Sequence, residues 1–165
     1  MPDWFTPTVP ARVKPVPWLS PETTAYLESL LTPEMVVLEH GAGGSTLWLA
    51  ERVKHVTSVE DDMDWYSVLR KRVPQNVTLL VGCGVLHVAP VDLLLIDGEP
   101  VQDRAKWIDA AMNLVHPGGY VVLDNANRPE YEKERKDFLA QATLIHTVNG
   151  NVGGCMHLIT EFYKI

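Results

Sequence analysis

Six residues, Val91 to Ile96, read VDLLLI. A run this apolar, without strict alternation, is what a strand buried on both faces requires. A sheet built on such a strand must be covered from both sides, and helices returning between strands do this. The chain supplies the alternation. Met35–Leu38, His55–Val59, Val77–Val81 and Tyr120–Leu123 read as further short strands. Helices are expected at Ser45–Val53, Asp62–Arg72, Gln102–Val115 and Pro129–Ala142. An earlier helix starts at Ser20-Pro21-Glu22, where a cap residue, a proline and an acid follow in order, and Pro33 stops it. The last strands, Thr143–Val148 and His157–Tyr163, flank Asn149-Gly150 and Gly153-Gly154, which carry hairpin turn chemistry. Strands joined that way run antiparallel. The expected fold is therefore α/β and doubly wound: a mostly parallel, Rossmann-like, seven-stranded sheet with a reversed strand in a terminal hairpin. Gly82–Pro90 is short for a parallel crossover, so its helix is expected to shrink to a turn.

The chain is 165 residues long, which suits one domain at 20–165. Residues 1–19 hold five prolines with Trp4, Phe5 and Trp18. Proline excludes a regular helix there, and the aromatics argue for an arm packed on the body or on a partner subunit, as a homodimer would use it. The arm is also a candidate lid over an acceptor. A net charge of −7 without a basic run argues against a nucleic-acid partner. No segment nears the roughly 18 apolar residues of a membrane span. The first twenty residues lack the apolar core of a signal peptide, and Cys83 and Cys155 suit a reducing compartment, so a cytoplasmic protein is expected.

The stretch Val36–Ala50, VVLEHGAGGSTLWLA, places Gly41, Gly43 and Gly44 between a strand end and a helix start. Ligands of open α/β sheets bind there, and glycine lets the backbone come close to them. Amides opening the next helix would suit something negative. A dinucleotide fingerprint needs glycine at 46, where the chain has Thr46. The remaining pattern, Glu39 before a G-x-G-G-S-T loop, resembles the first motif of class I S-adenosylmethionine-dependent methyltransferases. The likeness extends to Glu60 after the second strand, VDLLLIDG at 91–98, LVHPGGYVVLDN at 114–125 and the terminal hairpin. It implies a cofactor site from Glu39, His40, Gly41, Ala42, Gly43, Ser45, Thr46, Glu60, Asp61, Cys83 and Asp97, with Glu60 on the ribose. Ser45 stands where the family has its third glycine, and Gly82-Cys83-Gly84 replaces the usual adenine-side acid.

Asp97, Asp124 and Asn125 end the fourth and fifth strands and are the catalytic candidates. They resemble the strand ends of catechol- and caffeoyl-coenzyme-A-type O-methyltransferases, which implies Mg²⁺ there and an oxygen acceptor on a small molecule. The lysine base of that group is missing. The alternative is that Asp97 takes the cofactor's ammonium end while Asp124 and Asn125 cap a loop. Arg104 and Arg128 are candidate clamps for a substrate carboxylate or phosphate, or else ion-pair residues. Tyr131 lines the pocket or packs in the core. His40 is the candidate exposed base, or a cofactor contact. Two rival readings stand beside the enzyme: an NAD(P)-dependent oxidoreductase, and a non-catalytic cofactor-binding module of the same fold.

Overall fold

The computed structural model describes residues 13–82, 84–86, 88–151 and 157–165. Trp4, Phe5, Cys83, Cys155 and Gly153-Gly154 lie outside them. The elements follow in the order α1 (Pro21–Leu30), β1 (Val36–His40), α2 (Gly44–Ala50), β2 (His55–Glu60), α3 (Met63–Leu69), β3 (Val77–Val81), β4 (Val91–Ile96), α4 (Val101–Leu114), β5 (Val115–Leu123), a 3₁₀ turn (Pro129–Tyr131), α5 (Glu132–Leu139), β6 (Thr143–Asn151) and β7 (His157–Lys164).

One seven-stranded sheet carries them in the order β3-β2-β1-β4-β5-β7-β6. The first five strands pair in parallel. β7 is antiparallel to both β5 and β6, so the reversed strand is not the outermost one. Once β6 has formed, β7 returns beside it and slots against β5, which leaves β6 on the edge.

β4 is the central strand that its composition demands. Leu93, Leu94, Leu95 and Ile96 are all 0% exposed. Leu94 and Ile96 face a cluster with Trp107, Ile108 and Phe138 of α4 and α5. Leu93 and Leu95 face Leu27, Trp48 and Leu49 of α1 and α2. Truncating any of these leucines to alanine is worth about 2–5 kcal/mol. The one acid of the run, Asp92, accepts from the Val36 amide at 2.8 Å and so ties β4 to the start of β1.

Several boundaries differ from expectation. Asp62 is a cap rather than part of α3, accepting from the Asp64 and Trp65 amides at 2.8 and 2.9 Å. The segment His116–Gly119 belongs to β5, whose register against β4 shifts between Val91 and Leu93 to absorb it. Asn149 and Gly150 pair with Ile159 and Leu158 inside the hairpin instead of turning. Gly150 is glycine for space: a Cβ there would lie 2.4 Å from the Ser20 Cβ. The Gly82–Pro90 link carries no helix among its described residues. It must pass two strands and climb the sheet, about 20–25 Å, while nine extended residues reach about 30 Å. An extended chain spans this and a helix would not. Val85, Leu86 and Val88 pack on the α4 face as it passes.

Candidate functional site

The carboxyl ends of β1, β2, β4 and β5 come together at one edge of the sheet, where the expected residues gather. Glu39, the fourth residue of β1, is 0% exposed. Its Oε2 accepts from Thr46 Oγ1 at 2.5 Å and from Ser58 Oγ at 2.6 Å. Its Oε1 is buried with no hydrogen-bond partner. Burial pushes the carboxyl above its usual range, and the neighbouring hydroxyls of Ser45, Ser58 and Thr46 pull it back.

The glycine loop is internally satisfied. The Gly41 amide donates to Val59 O at 2.9 Å, the Ala42 amide to Glu60 Oε2 at 3.0 Å and the Gly43 amide to Thr46 Oγ1 at 2.9 Å. These three amides are distinct from those opening α2 at Ser45 and Thr46, which the sequence offered to something negative. The loop's glycines serve close approach. Gly41 has φ +95 and crosses Gly98 so closely that a Cβ would sit 2.5 Å from the Gly98 Cα. Gly43 lies under the Trp65 ring, at 3.8 Å from an added Cβ. Trp65 Nε1 donates to Ala42 O at 2.6 Å, which fixes α3 on the loop.

Glu60 ends β2, 7% exposed. Its Oε1 accepts from the Asp62 amide at 2.9 Å. Each carboxylate oxygen therefore keeps acceptor capacity. Burial is the main reason its pKa rises to about 7, with Asp61 adding to it and the Asp62 and Ala42 amides opposing. Asp61 is exposed, and its own pKa is raised, chiefly by desolvation.

His40 is not the exposed base expected of it. It is 5% exposed, lies against Gly98 and stacks on Trp107 at 4.9 Å. Burial first, then Arg104, lowers its pKa to about 4, and its Nδ1 has no partner.

Asp97 and Asp124 stand side by side at the ends of β4 and β5. The Asp97 side chain is 23% exposed and hydrogen-bonds Arg104 Nη2 through Oδ1 at 3.3 Å. Desolvation first, then the Asp124 carboxylate, raises its pKa well above the usual range, and Arg104 only partly offsets this. Asp124 is 4% exposed; Thr160 Oγ1 donates to its Oδ1 at 2.5 Å and Asn125 Nδ2 to its Oδ2 at 2.7 Å. Asn125 Oδ1 is taken by Arg128 Nη2 at 2.9 Å. Both oxygens of Asp124 and the amide oxygen of Asn125 are thus engaged. Among the described residues no group of three or more His, Cys, Asp or Glu side chains is arranged to hold a metal ion. The expected Mg²⁺ site does not fit this donor set.

Arg104, expected as a substrate clamp, is 1% exposed. It donates to Gly98 O, Asp124 O and Asp97 O at 2.7, 2.7 and 2.6 Å, and so ties the ends of β4 and β5 together. Arg128 is more open, but its fork is engaged by Glu99 Oε1 at 2.9 Å and by Asn125. Tyr131 is 0% exposed and donates to Asn125 O at 2.5 Å, which is a core position. The sequence reading missed Trp65, Ser58 and Thr160. Only Trp65 had a legible signal, as the first aromatic after the Asp62 cap.

No family model matches the chain, and no curated protein does. Solved structures match its fold. The precorrin 8w decarboxylase of Methanobacterium thermoautotrophicum aligns over 97% of this chain and 95% of its own, at 20% identity and a TM-score of 0.67. The N-methyltransferase NodS from Bradyrhizobium japonicum, in complex with S-adenosyl-L-homocysteine, aligns over 87% of this chain and 86% of its own, at 13% identity and a TM-score of 0.64. A tRNA methyltransferase of M. jannaschii aligns over 87% of this chain but only 48% of its own, at 14% identity and a TM-score of 0.64. The fold of this chain is that of the class I S-adenosylmethionine-dependent methyltransferases.

Proposed function

We propose that this protein transfers a methyl group from S-adenosylmethionine to a small-molecule acceptor. The observation that carries the reading is the glycine loop. Its Gly41, Ala42 and Gly43 amides are spent internally, while the buried Glu39 beneath it keeps one oxygen without a donor. A dinucleotide fingerprint also needs glycine at 46, where the chain has Thr46, its hydroxyl bonded to Glu39 and the Gly43 amide. A sulfonium cofactor has no phosphate and brings an ammonium group, which a buried carboxylate oxygen without a donor suits. In this reading Glu39 and Asp97 serve the amino-acid end, the backbone at Gly41–Gly43 lies along the cofactor, and Glu60 accepts from the ribose hydroxyls. Asp61 follows Glu60 at the ribose end, and Cys83 lies outside the described residues. The cofactor supplies an electrophilic methyl carbon. The acceptor's lone pair forms the new bond as the sulfur–carbon bond breaks and the sulfonium becomes a thioether.

The acceptor is read from charge. Carboxylates at Asp97, Glu99 and Asp124 lie at or just past the ends of β4 and β5, and Asp103 follows in the first turn of α4. The cations among them are engaged: Arg104 with carbonyls, Arg128 with Glu99 and Asn125, Lys106 with Asp103. Held by acids and carbonyls of the chain itself, the cations of this edge speak against a nucleic-acid backbone as the acceptor. With the metal set unsuited, the ground for an oxygen acceptor is lost, and amine nitrogen is the better reading. Asp97, a more exposed carboxyl than Asp124, then holds the amine and receives the proton it sheds. NodS is itself an N-methyltransferase, which agrees with this choice.

The test is calorimetry with S-adenosylhomocysteine and NAD in parallel, followed by labelled methyl transfer to matched amine and phenol panels. Micromolar homocysteine-adduct binding and amine methylation are expected. NAD binding in its place would replace the reading with a dehydrogenase. Adduct binding without transfer to either panel would favour a non-catalytic binding module.

A further inference from the structure

Residues 13–20 lie outside the helices, yet both ends of the segment are fastened at the site. At one end the main chain rests on the glycine loop. A Cβ on Gly44 would lie 2.2 Å from Val16 O and 2.7 Å from Lys14 O. Gly44 has no left-handed backbone angle, so glycine is required there for space alone. Val13, 8% exposed, packs in one cluster with Ala42 of the loop and with Trp65 and Leu69 of α3. At the other end Ser20 caps α1 and begins a chain of buried hydroxyls. Ser20 Oγ donates to Thr23 Oγ1 at 2.9 Å, Thr23 Oγ1 to Thr160 Oγ1 at 3.2 Å, and Thr160 Oγ1 to Asp124 Oδ1 at 2.5 Å. The segment therefore crosses from the end of β1 to the ends of β5 and β7.

We infer that residues 13–20 are a strap that closes the cofactor site from outside, seated on Gly44 and pinned through Thr160, and that the strap lifts to exchange the cofactor. The inference rests on the S-adenosylmethionine reading of the loop. The strap is fastened well enough to close and lightly enough to open. Pro15 and Pro17 have no amide to give. Among the described residues its main-chain hydrogen bonds are local: the Val16 amide to Lys14 O at 2.8 Å, and Ser20 O to the Thr24 amide of α1 at 2.9 Å. None joins the sheet. Val16 and Trp18, between the two anchors, are 63% and 83% exposed. Leu19, 7% exposed, joins the core cluster of Leu27 and Phe162. The segment therefore opens by lifting Lys14–Trp18, where only Pro17 is buried, about a hinge at Leu19-Ser20, at lower cost than the strands beneath it. Its seat is the same loop that would lie along the cofactor. Lifting the strap therefore frees the loop, and a ligand under the loop holds the strap down.

The experiment uses the full chain, with hydrogen exchange of the amides in 13–20 and the rate of S-adenosylhomocysteine release. Gly44→Ala is expected to raise exchange throughout the strap and to speed release tenfold or more. The melting point should fall only by the loss of the strap's own packing, because the clash is with the strap and not with the sheet. Thr160→Val should act from the other anchor, Thr160→Ser should restore the wild-type values, and the double variant should add little to either single one. The proposal is overturned if folded Gly44→Ala and Thr160→Val proteins release the adduct at the wild-type rate. Should Gly44→Ala not fold, the valine and serine pair at 160 decides. A wild-type protein that binds no adduct would sink the cofactor reading and the strap's role with it. Unchanged release from binding-competent variants sinks the strap alone.

Discussion

Glu60 is the group whose ionisation should govern cofactor affinity. In the free protein its pKa stands at about 7 against an ordinary 4.5, with desolvation the first cause. A displacement of that size corresponds to about 3 kcal/mol against the ionised form. The sign follows. Between those two pH values the folded protein holds a proton that the unfolded chain has released, so stability falls as pH rises through this window. Ribose hydroxyls donate to the carboxylate and favour the ionised form. Binding should therefore expel the Glu60 proton. If the complex returns Glu60 to its ordinary pKa, affinity for S-adenosylhomocysteine drops about 20-fold between pH 7.5 and 5.5. Calorimetry at pH 6 in buffers of different ionisation enthalpy should show close to one proton released. Glu60→Gln cannot ionise, so its weaker binding should be flat across that range, which separates Glu60 from the adjacent Asp61. A flat wild-type profile, or a slope that persists in the glutamine variant, refutes the assignment of Glu60 to the ribose.

Arg104→Met should destabilise the fold by about 3–5 kcal/mol in urea titrations, because three buried carbonyls lose their donor. Thr46→Val removes the hydroxyl that links the Gly43 amide to Glu39, and should cost about 1–3 kcal/mol by the same assay, with Thr46→Ser close to wild type. Gly41→Ala must change a left-handed backbone angle and part the β1 and β4 ends, for about 2–5 kcal/mol, read as a lowered melting point. Dialysis against EDTA should leave adduct binding and amine methylation unchanged; loss of either would restore the metal reading of Asp124 and Asn125.

The strands and helices were legible because their signals are local. VDLLLI reads as a doubly buried strand wherever it occurs, and Ser20-Pro21-Glu22 reads as a helix start. The boundaries that slipped depend on partners. Asn149-Gly150 has the composition of a turn, but Gly150 makes room for Ser20, a residue far away in sequence. The positions of Glu39, Glu60, Asp97 and Asp124 were legible, since all lie at or just past strand ends where periodicity puts them. Their roles were less so. Arg104 and Tyr131 look like surface or pocket residues until the fold turns them inward onto carbonyls, and His40 looks exposed until Trp107 covers it.

From sequence alone came the alternation and the parallel sheet with one reversed strand, which follow from burial periodicity and turn chemistry acting over a few residues. The cofactor reading of the glycine loop came from its resemblance to a family motif. Tertiary structure alone decided the placing of β7 between β5 and β6, the use made of each glycine, and the state of each buried charge. Those depend on which atoms meet across the sheet edge. A hydrogen bond from Thr160 to Asp124, or a carbonyl of the arm resting on Gly44, has no signature in either partner's neighbourhood along the chain.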